Sequence, residues 1–362
     1  MLSQKARKTL TSLHRWAGVS IALLLLGQGC SGVMVSFKDE LAHALDPAMR
    51  SSLAISGAPR ISADQALDAA TAAAPDCRPK RLYFPKYDDG VFLLKCEQAD
   101  RESDWIVTVD SRRPEVLAAG PIWQFPLEFA DEWHLEMRFA RPGRALVGTL
   151  GLTLALLAIA GLIVWWPGVK HLLRAMRPAW RGGLRRKLLM LHRLIGPVAF
   201  SFVLVLSLAG LLTAWRPWVD PLVGKVLPLA VAPAFPERVP SPDLLPLEQV
   251  ERLALAAFPG ASVRDIRERG GSYETVQSVL NPVDQARPRA ADHAWIDRRN
   301  GELIGTQSTA GEPAGSRMLG WLLPIHTGEW LGLPGRILML LTGIAILVLT
   351  VTGVISTFKK TA

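Results

Sequence analysis

Four of the seven histidines in this 362-residue chain recur in matched settings. His14 opens the stretch SLHRWAGVSIALLLLGQGCSGVMVSF, and His192 opens LHRLIGPVAFSFVLVLSLAGLLTAW. Each is followed by glycines four and eighteen residues on, Gly18 and Gly32 in one case, Gly196 and Gly210 in the other. His134 precedes Pro142-Gly143-Arg144, Gly151 and Gly161; His326 precedes Pro334-Gly335-Arg336, Gly343 and Gly353 at the same offsets. Two imidazoles can hold one b-type haem from its two faces. Four in two matched pairs would hold two, one by His14 with His192, the other by His134 with His326. A lone interfacial histidine more often only hydrogen-bonds or reaches toward water. It is the recurrence that argues for ligation. Spacing alone does not choose haem over another metal, and no C-x-x-C-H occurs for covalent haem attachment.

Arginines accompany all four. Arg15 and Arg193 follow the inner histidines, and Arg144 and Arg336 close the Pro-Gly-Arg units. Guanidinium groups suit haem propionates; they also anchor helix ends at a membrane surface. His171 has no counterpart and is a spare inner candidate, while His43 and His293 read as surface groups. Met137 and Met318 are alternative soft ligands or packing residues.

The elements that must carry these groups are apolar. Hydrophobic residues make up 49% of the chain, and mean hydropathy is +0.22. Four segments are long enough for a bilayer, which takes about 20 apolar residues. The reading divides the chain into a lead-in and first span (1–37), an external region (38–144), a second span (145–166) and a basic connector (167–188). A third span (189–215), a second external region (216–335) and a fourth span with tail (336–362) follow. Within the first piece the apolar stretch itself runs 13–37, and no A-x-A site marks it as a cleaved signal. Lys5, Arg7 and Lys8, the acid-free run from Lys170 to Arg193, and Lys359 and Lys360 fall on one side. The positive-inside rule makes that side cytoplasmic. The basic run therefore sets topology rather than binding nucleic acid. Trp123, Trp133, Trp215, Trp218, Trp321 and Trp330 gather near the other side as an aromatic belt.

Each external region reads as an α+β unit. Ser62 caps a helix from Ala63, with Gln65 completing a capping box. Strands are expected at 80–84, 91–96 and 105–109, and again at 262–267, 273–280 and 294–297 after a helix over 243–258. Cys77 and Cys96 lie in the first region, where a disulfide is chemically allowed; the sequence does not establish the pairing. The fold expected is a membrane protein of four transmembrane helices in two same-topology repeats, with two α+β domains outside. One difficulty is visible: a continuous helix from His134 to Ala145 would hold His134 well above the apolar core.

No G-x-G-x-x-G lies between strand and helix, and no H-E-x-x-H, nucleophile elbow or P-loop is present. Nicotinamide, flavin and hydrolytic chemistry have no support.

The LHR-x-x-G and His-then-PGR units, with the flanking α+β regions, resemble the PepSY-associated transmembrane proteins over nearly the whole chain. Within them the chain looks most similar to the ferrisiderophore reductases of Gram-negative inner membranes. That resemblance implies two b haems held by His14, His134, His192 and His326, and PepSY-like domains in the periplasm. It also implies one-electron reduction of Fe(III) to Fe(II) in a siderophore, of ferrioxamine type by likeness. Electrons would come from a membrane quinol or another reductase. Reduction suits the chemistry, because hard oxygen donors prefer Fe(III). Two other functions fit parts of the pattern: a siderophore or iron transporter of the inner membrane, and a non-enzymatic PepSY-type regulator.

Overall fold

A computed structural model of the chain describes residues 3–51, 59–98, 104–178, 182–234, 243–269, 274–285 and 287–358. Arg181, Lys359 and Lys360, used above for topology, lie outside them. The chain divides into two units. One is helical and takes residues 1–37, 130–222 and 320–362; the other, with the sheet, takes 38–129 and 223–319.

Among the described residues of the helical unit, three helices are long and apolar enough to cross a membrane: Ala140–Trp165, Leu184–Ala214 and Glu329–Phe358. They are the second, third and fourth spans. The third begins at Leu184, earlier than expected, so Arg185, Arg186 and Lys187 belong to its first turn rather than to a loop. The first span is not one rod. Gln4–Ser20 and Ala22–Val35 meet at 64°. Next to the break, Ser20 Oγ donates to the Trp16 carbonyl at 2.8 Å. Ile21, at φ −105° and ψ 6°, leaves the helical region. The second span packs on the third, the third on the fourth, the fourth on Ala22–Val35, and Gln4–Ser20 on the second.

The sheet unit corrects the two-domain expectation. Its strands are β1 Cys77–Tyr83, β2 Val91–Gln98, β3 Asp104–Asp110, β4 Val116–Pro121, β5 Ser262–Arg269, β6 Thr275–Asn281, β7 Asp292–Asp297 and β8 Leu303–Gln307. They form one antiparallel sheet in the order β4-β3-β2-β1-β5-β6-β7-β8. The two expected domains are thus halves of a single body, joined where β1 pairs with β5. An exposed strand edge invites pairing, and here each half covers the other's. Helices Ala63–Ala73 and Leu247–Ala257 share one core with Leu82, Phe92, Leu94, Ile266 and Ile296 on one sheet face. The first helix starts on the expected box: Ser62 accepts from the Gln65 amide, and Gln65 accepts from Ser62. Cys77 and Cys96 are joined by a disulfide across β1 and β2.

Buried Glu128 ties Lys38 to Lys95, at 2.8 Å from each ammonium. Burial pushes its carboxyl up, but the Lys95 and Lys38 charges outweigh it and hold the pKa at about 2. A carboxyl near 4.5 when unfolded and near 2 when folded stabilises fully above pH 4.5, and the gain drains away as pH falls toward 2. At neutral pH that difference is on the order of 3 kcal/mol. Removing one member of a buried pair typically costs about 3–5 kcal/mol. Glu128→Ala is therefore expected to lower the melting temperature of the sheet unit strongly at pH 7 and much less at pH 2.5. Calorimetry at the two pH values checks both.

Candidate functional site: two histidine pairs among the spans

The four matched histidines come together in pairs within the helical unit. The His14 and His192 ring centroids are 6.2 Å apart, and those of His134 and His326 are 6.0 Å apart. All four are half-buried. Each Nδ1 lies on a backbone carbonyl of another span: His14 on Leu157 at 3.1 Å, His192 on Leu349 at 3.0 Å, His326 on Leu206 at 2.9 Å, His134 on Gln28 at 3.2 Å. A carbonyl only accepts, so Nδ1 carries the proton and donates. In the neutral ring Nε2 then keeps its lone pair.

The same register recurs at the glycines. In all four cases the accepting carbonyl is four residues before a glycine. A Cβ on that glycine would meet the imidazole Cε1: Gly161 with His14 at 3.1 Å, Gly353 with His192 at 3.4 Å, Gly32 with His134 at 2.9 Å, Gly210 with His326 at 2.8 Å. These glycines are cradles that let the Nδ1–Cε1 edge of each ring approach the neighbouring helix. Gly18 and Gly196, the repeat's first glycines, do not serve this way. A Cβ at Gly18 would meet nothing within 4 Å, and one at Gly196 would meet only Leu349 at 3.9 Å.

The height difficulty at the outer pair has a structural answer. The helix bearing His134, Pro126–Glu136, stops before the second span. Met137, Arg138 and Ala140 take positive φ of 48°, 62° and 48°. Such backbone costs a non-glycine residue about 1–2 kcal/mol each, and it folds the histidine helix back against the span. Around His326 positive φ falls on glycines, Gly328 and Gly332, at 79° and 63°, and Gly332 occupies the place of Ala140. A Cβ on Gly143 would collide with the Glu136 carbonyl, and one on Gly335 with the Gly328 carbonyl. The Pro-Gly-Arg glycine is thus what permits the reversal. Its arginines diverge. Arg144 pairs with Glu136 at 3.0 Å, whereas Arg336 donates to the Ser36 carbonyl at 2.9 Å and lies over Phe37. Arg15 is exposed and lies over Trp16, and Arg193 is exposed.

Two hydroxyls and two arginines escaped the sequence reading. Ser31 Oγ is 3.2 Å from His134 Nδ1, and Thr352 Oγ1 is 3.2 Å from His192 Nδ1. Their counterparts beside His326 and His14 are Ala209 and Ala160, so each pair has one hydroxyl. Arg7 donates to the Val164 carbonyl at 2.7 Å, and Arg185 to the Ser356 carbonyl at 2.8 Å, near the ends of the second and fourth spans. Cationic donors suit helix C-termini. Both arginines stand seven residues before an inner histidine, a signal hidden by treating them only as topological charge.

The remaining candidates lie elsewhere. His171 is exposed. His43 pairs with Asp89 at 2.8 Å and lies on Tyr87 in the sheet unit. Met137 is buried at the reversal and Met318 is half-exposed in the sheet unit. Among the tryptophans, Trp123, Trp218 and Trp330 are exposed, while Trp215 donates to the Ala145 carbonyl and fills the space over Gly148.

A metal held by two imidazoles at about 2.0–2.1 Å each, with each ring centre roughly 1.1 Å behind its nitrogen, separates the centroids by about 6.2–6.4 Å. The two pairs' centroid separations of 6.2 and 6.0 Å are near that value. Their interplanar angles, 80° and 35°, are unrestricted, because a ring can turn about the metal–nitrogen bond. Among the described residues no group of three or more His, Cys, Asp or Glu is placed to hold a metal ion. A metal held between two of these histidines would take its other ligands from elsewhere, as from a porphyrin. The donated Nδ1–H is the usual state of a ligating histidine.

No curated protein matches the chain. Residues 11–360 match the family described as the PepSY-associated TM region. Nearly the whole chain is covered, spans and sheet unit alike, and the protein belongs to that family.

Proposed function

We propose that this protein is a di-haem b membrane reductase of the bacterial inner membrane. His14 and His192 would hold one haem, His134 and His326 the other. The observation that carries the reading is the fourfold repetition of one arrangement: Nδ1 on a carbonyl, Cε1 on a glycine, and a partner ring about 6 Å away. When bound, such haems supply one-electron transfer. The chain's own part is to fix each tautomer, orient each ring and keep water from the pairs. His192 and Gly210 are eighteen residues apart on the third span, roughly 27 Å at 1.5 Å per residue. The two levels would therefore lie on opposite sides of a bilayer. The halves would be same-topology repeats, with N- and C-termini cytoplasmic and the sheet unit periplasmic. By family likeness the acceptor would be Fe(III) in a siderophore. Arg15 and Arg193 would anchor the cytoplasmic ends, and Arg144 and Arg336 would brace the outer reversals.

The test is an oxidised and dithionite-reduced spectrum of detergent-purified protein, with haem quantified per chain. Two low-spin b haems are expected. Folded protein that stays haem-free when produced with ample haem would overturn the reading.

A second reading draws on the sheet unit. A disulfide-stapled, eight-stranded body on a membrane anchor suits a non-enzymatic regulator. That reading has no use for the histidines, so full function after replacement of all four would favour it.

A further inference from the structure

The sheet face opposite the two helices carries an unusual row of charge. Lys95, Arg81 and Arg267 stand abreast on β2, β1 and β5, as direct cross-strand partners. Like charges directly opposite destabilise a sheet, so this row needs anions. Two buried carboxylates among the described residues lie against it. Glu128 is already shared by Lys38 and Lys95. Asp265 is fully buried and takes Arg81 at 2.9 and 2.8 Å, Arg267 at 2.5 Å and Arg264 at 3.3 Å. A carboxylate offers about four lone-pair sites, and Asp265 is saturated.

The guanidinium groups are not sealed in. Arg81 and Arg267 keep 28% and 27% of their side-chain surface open. Beside them Arg269 donates to Gln277 Oε1. That fixes the amide, so Gln277 Nε2 donates to His293 Nδ1 at 2.9 Å. His293 must then present Nε2–H, one more donor. Burial and the nearby arginines hold this imidazole down to about 4, a sign of the positive field here. Expected from sequence as an ordinary surface group, His293 instead lies half-buried at the edge of the cluster, with Trp295 beside it.

We propose that this face, centred on Arg81, Arg267 and Arg269 with His293 at its edge, binds a small soluble oxyanion bearing two or more negative charges. Carboxylate and phosphate oxygens share the required chemistry: several acceptors matched to forked guanidinium donors. The site owes nothing to the histidine pairs and stands whether or not they hold haem.

The full chain in nanodiscs of zwitterionic lipid is titrated calorimetrically with citrate and with inorganic phosphate, chloride being used to hold ionic strength constant. Saturable binding of at least one of them is expected. Arg267→Gln is expected to weaken it about tenfold or more, the scale of one charge-assisted hydrogen bond. Arg269→Gln, whose own partner is the neutral Gln277, gives the same reading if Arg267→Gln fails to fold. Arg299→Gln, on a turn and paired with Asp297, should leave binding unchanged. No saturable heat, an equal response to chloride, or binding unaffected by the Arg267 and Arg269 changes overturns the proposal. Loss of citrate and phosphate binding when phosphatidylglycerol is added to the nanodiscs also overturns it, since the site would then belong to a lipid headgroup.

Discussion

His192→Ala is expected to remove one of two haems and leave the other with an unchanged spectrum. His14→Ala should remove that same haem, and the double variant should lose no more than either single one. Residues acting as one unit are non-additive in this way, and the 6.2 Å pairing makes these two a unit. His134→Ala and His326→Ala should together define the second haem by the same logic. The expected change is from about two haems per chain to about one, read by haem extraction and by the reduced spectrum. His171→Ala, exposed and outside both pairs, is the control and should leave both haems. Size-exclusion behaviour and disulfide state separate haem loss from misfolding. Loss of both haems from every single variant would show one shared site. Retention of both after His14 and His192 are replaced together would remove the inner site altogether.

Much of the site was legible because ligand chemistry and helical period leave marks in sequence. The recurrence of His14 at His192, and of His134 at His326, already implied the pairs. What stayed hidden was set by tertiary contact. That β1 joins β5 follows from edge pairing between Arg81 and Arg267, 186 positions apart, and no local pattern announces it. β4 and β8 were missed because VLAAGP and LIGTQ are short and weakly patterned. The reversal at Met137–Ala140 uses positive φ at residues that seldom adopt it, so it reads as helix. The bend at Ile21 falls inside an apolar run with no proline to mark it. Glycines were noticed as small, but the sequence could not show which ones face a ring. Gly18 and Gly32 look alike there, and only the second lies against a histidine.

That difference between glycines yields the second large effect. Gly32→Leu and Gly210→Leu are expected to displace His134 and His326 and abolish the outer haem, leaving the inner one intact. The first added carbon would fall 2.9 and 2.8 Å from the ring Cε1, closer than any carbon contact tolerates, while each Nδ1 is held on a carbonyl of that same helix. Overpacking of this kind costs about 1–3 kcal/mol, which is roughly tenfold to a hundredfold in occupancy of a site that needs both rings. Alanine grades the effect. Loss should be greatest at Gly210 and Gly32, smaller at Gly161, where the Cβ would stand 3.1 Å away, and least at Gly353, at 3.4 Å. Gly18→Ala adds its carbon to open space and should be silent. Haem per chain, measured across the five alanine variants, checks the order. A flat response, with Gly18 as sensitive as Gly210, would mean the glycines serve general helix packing and do not cradle the histidines.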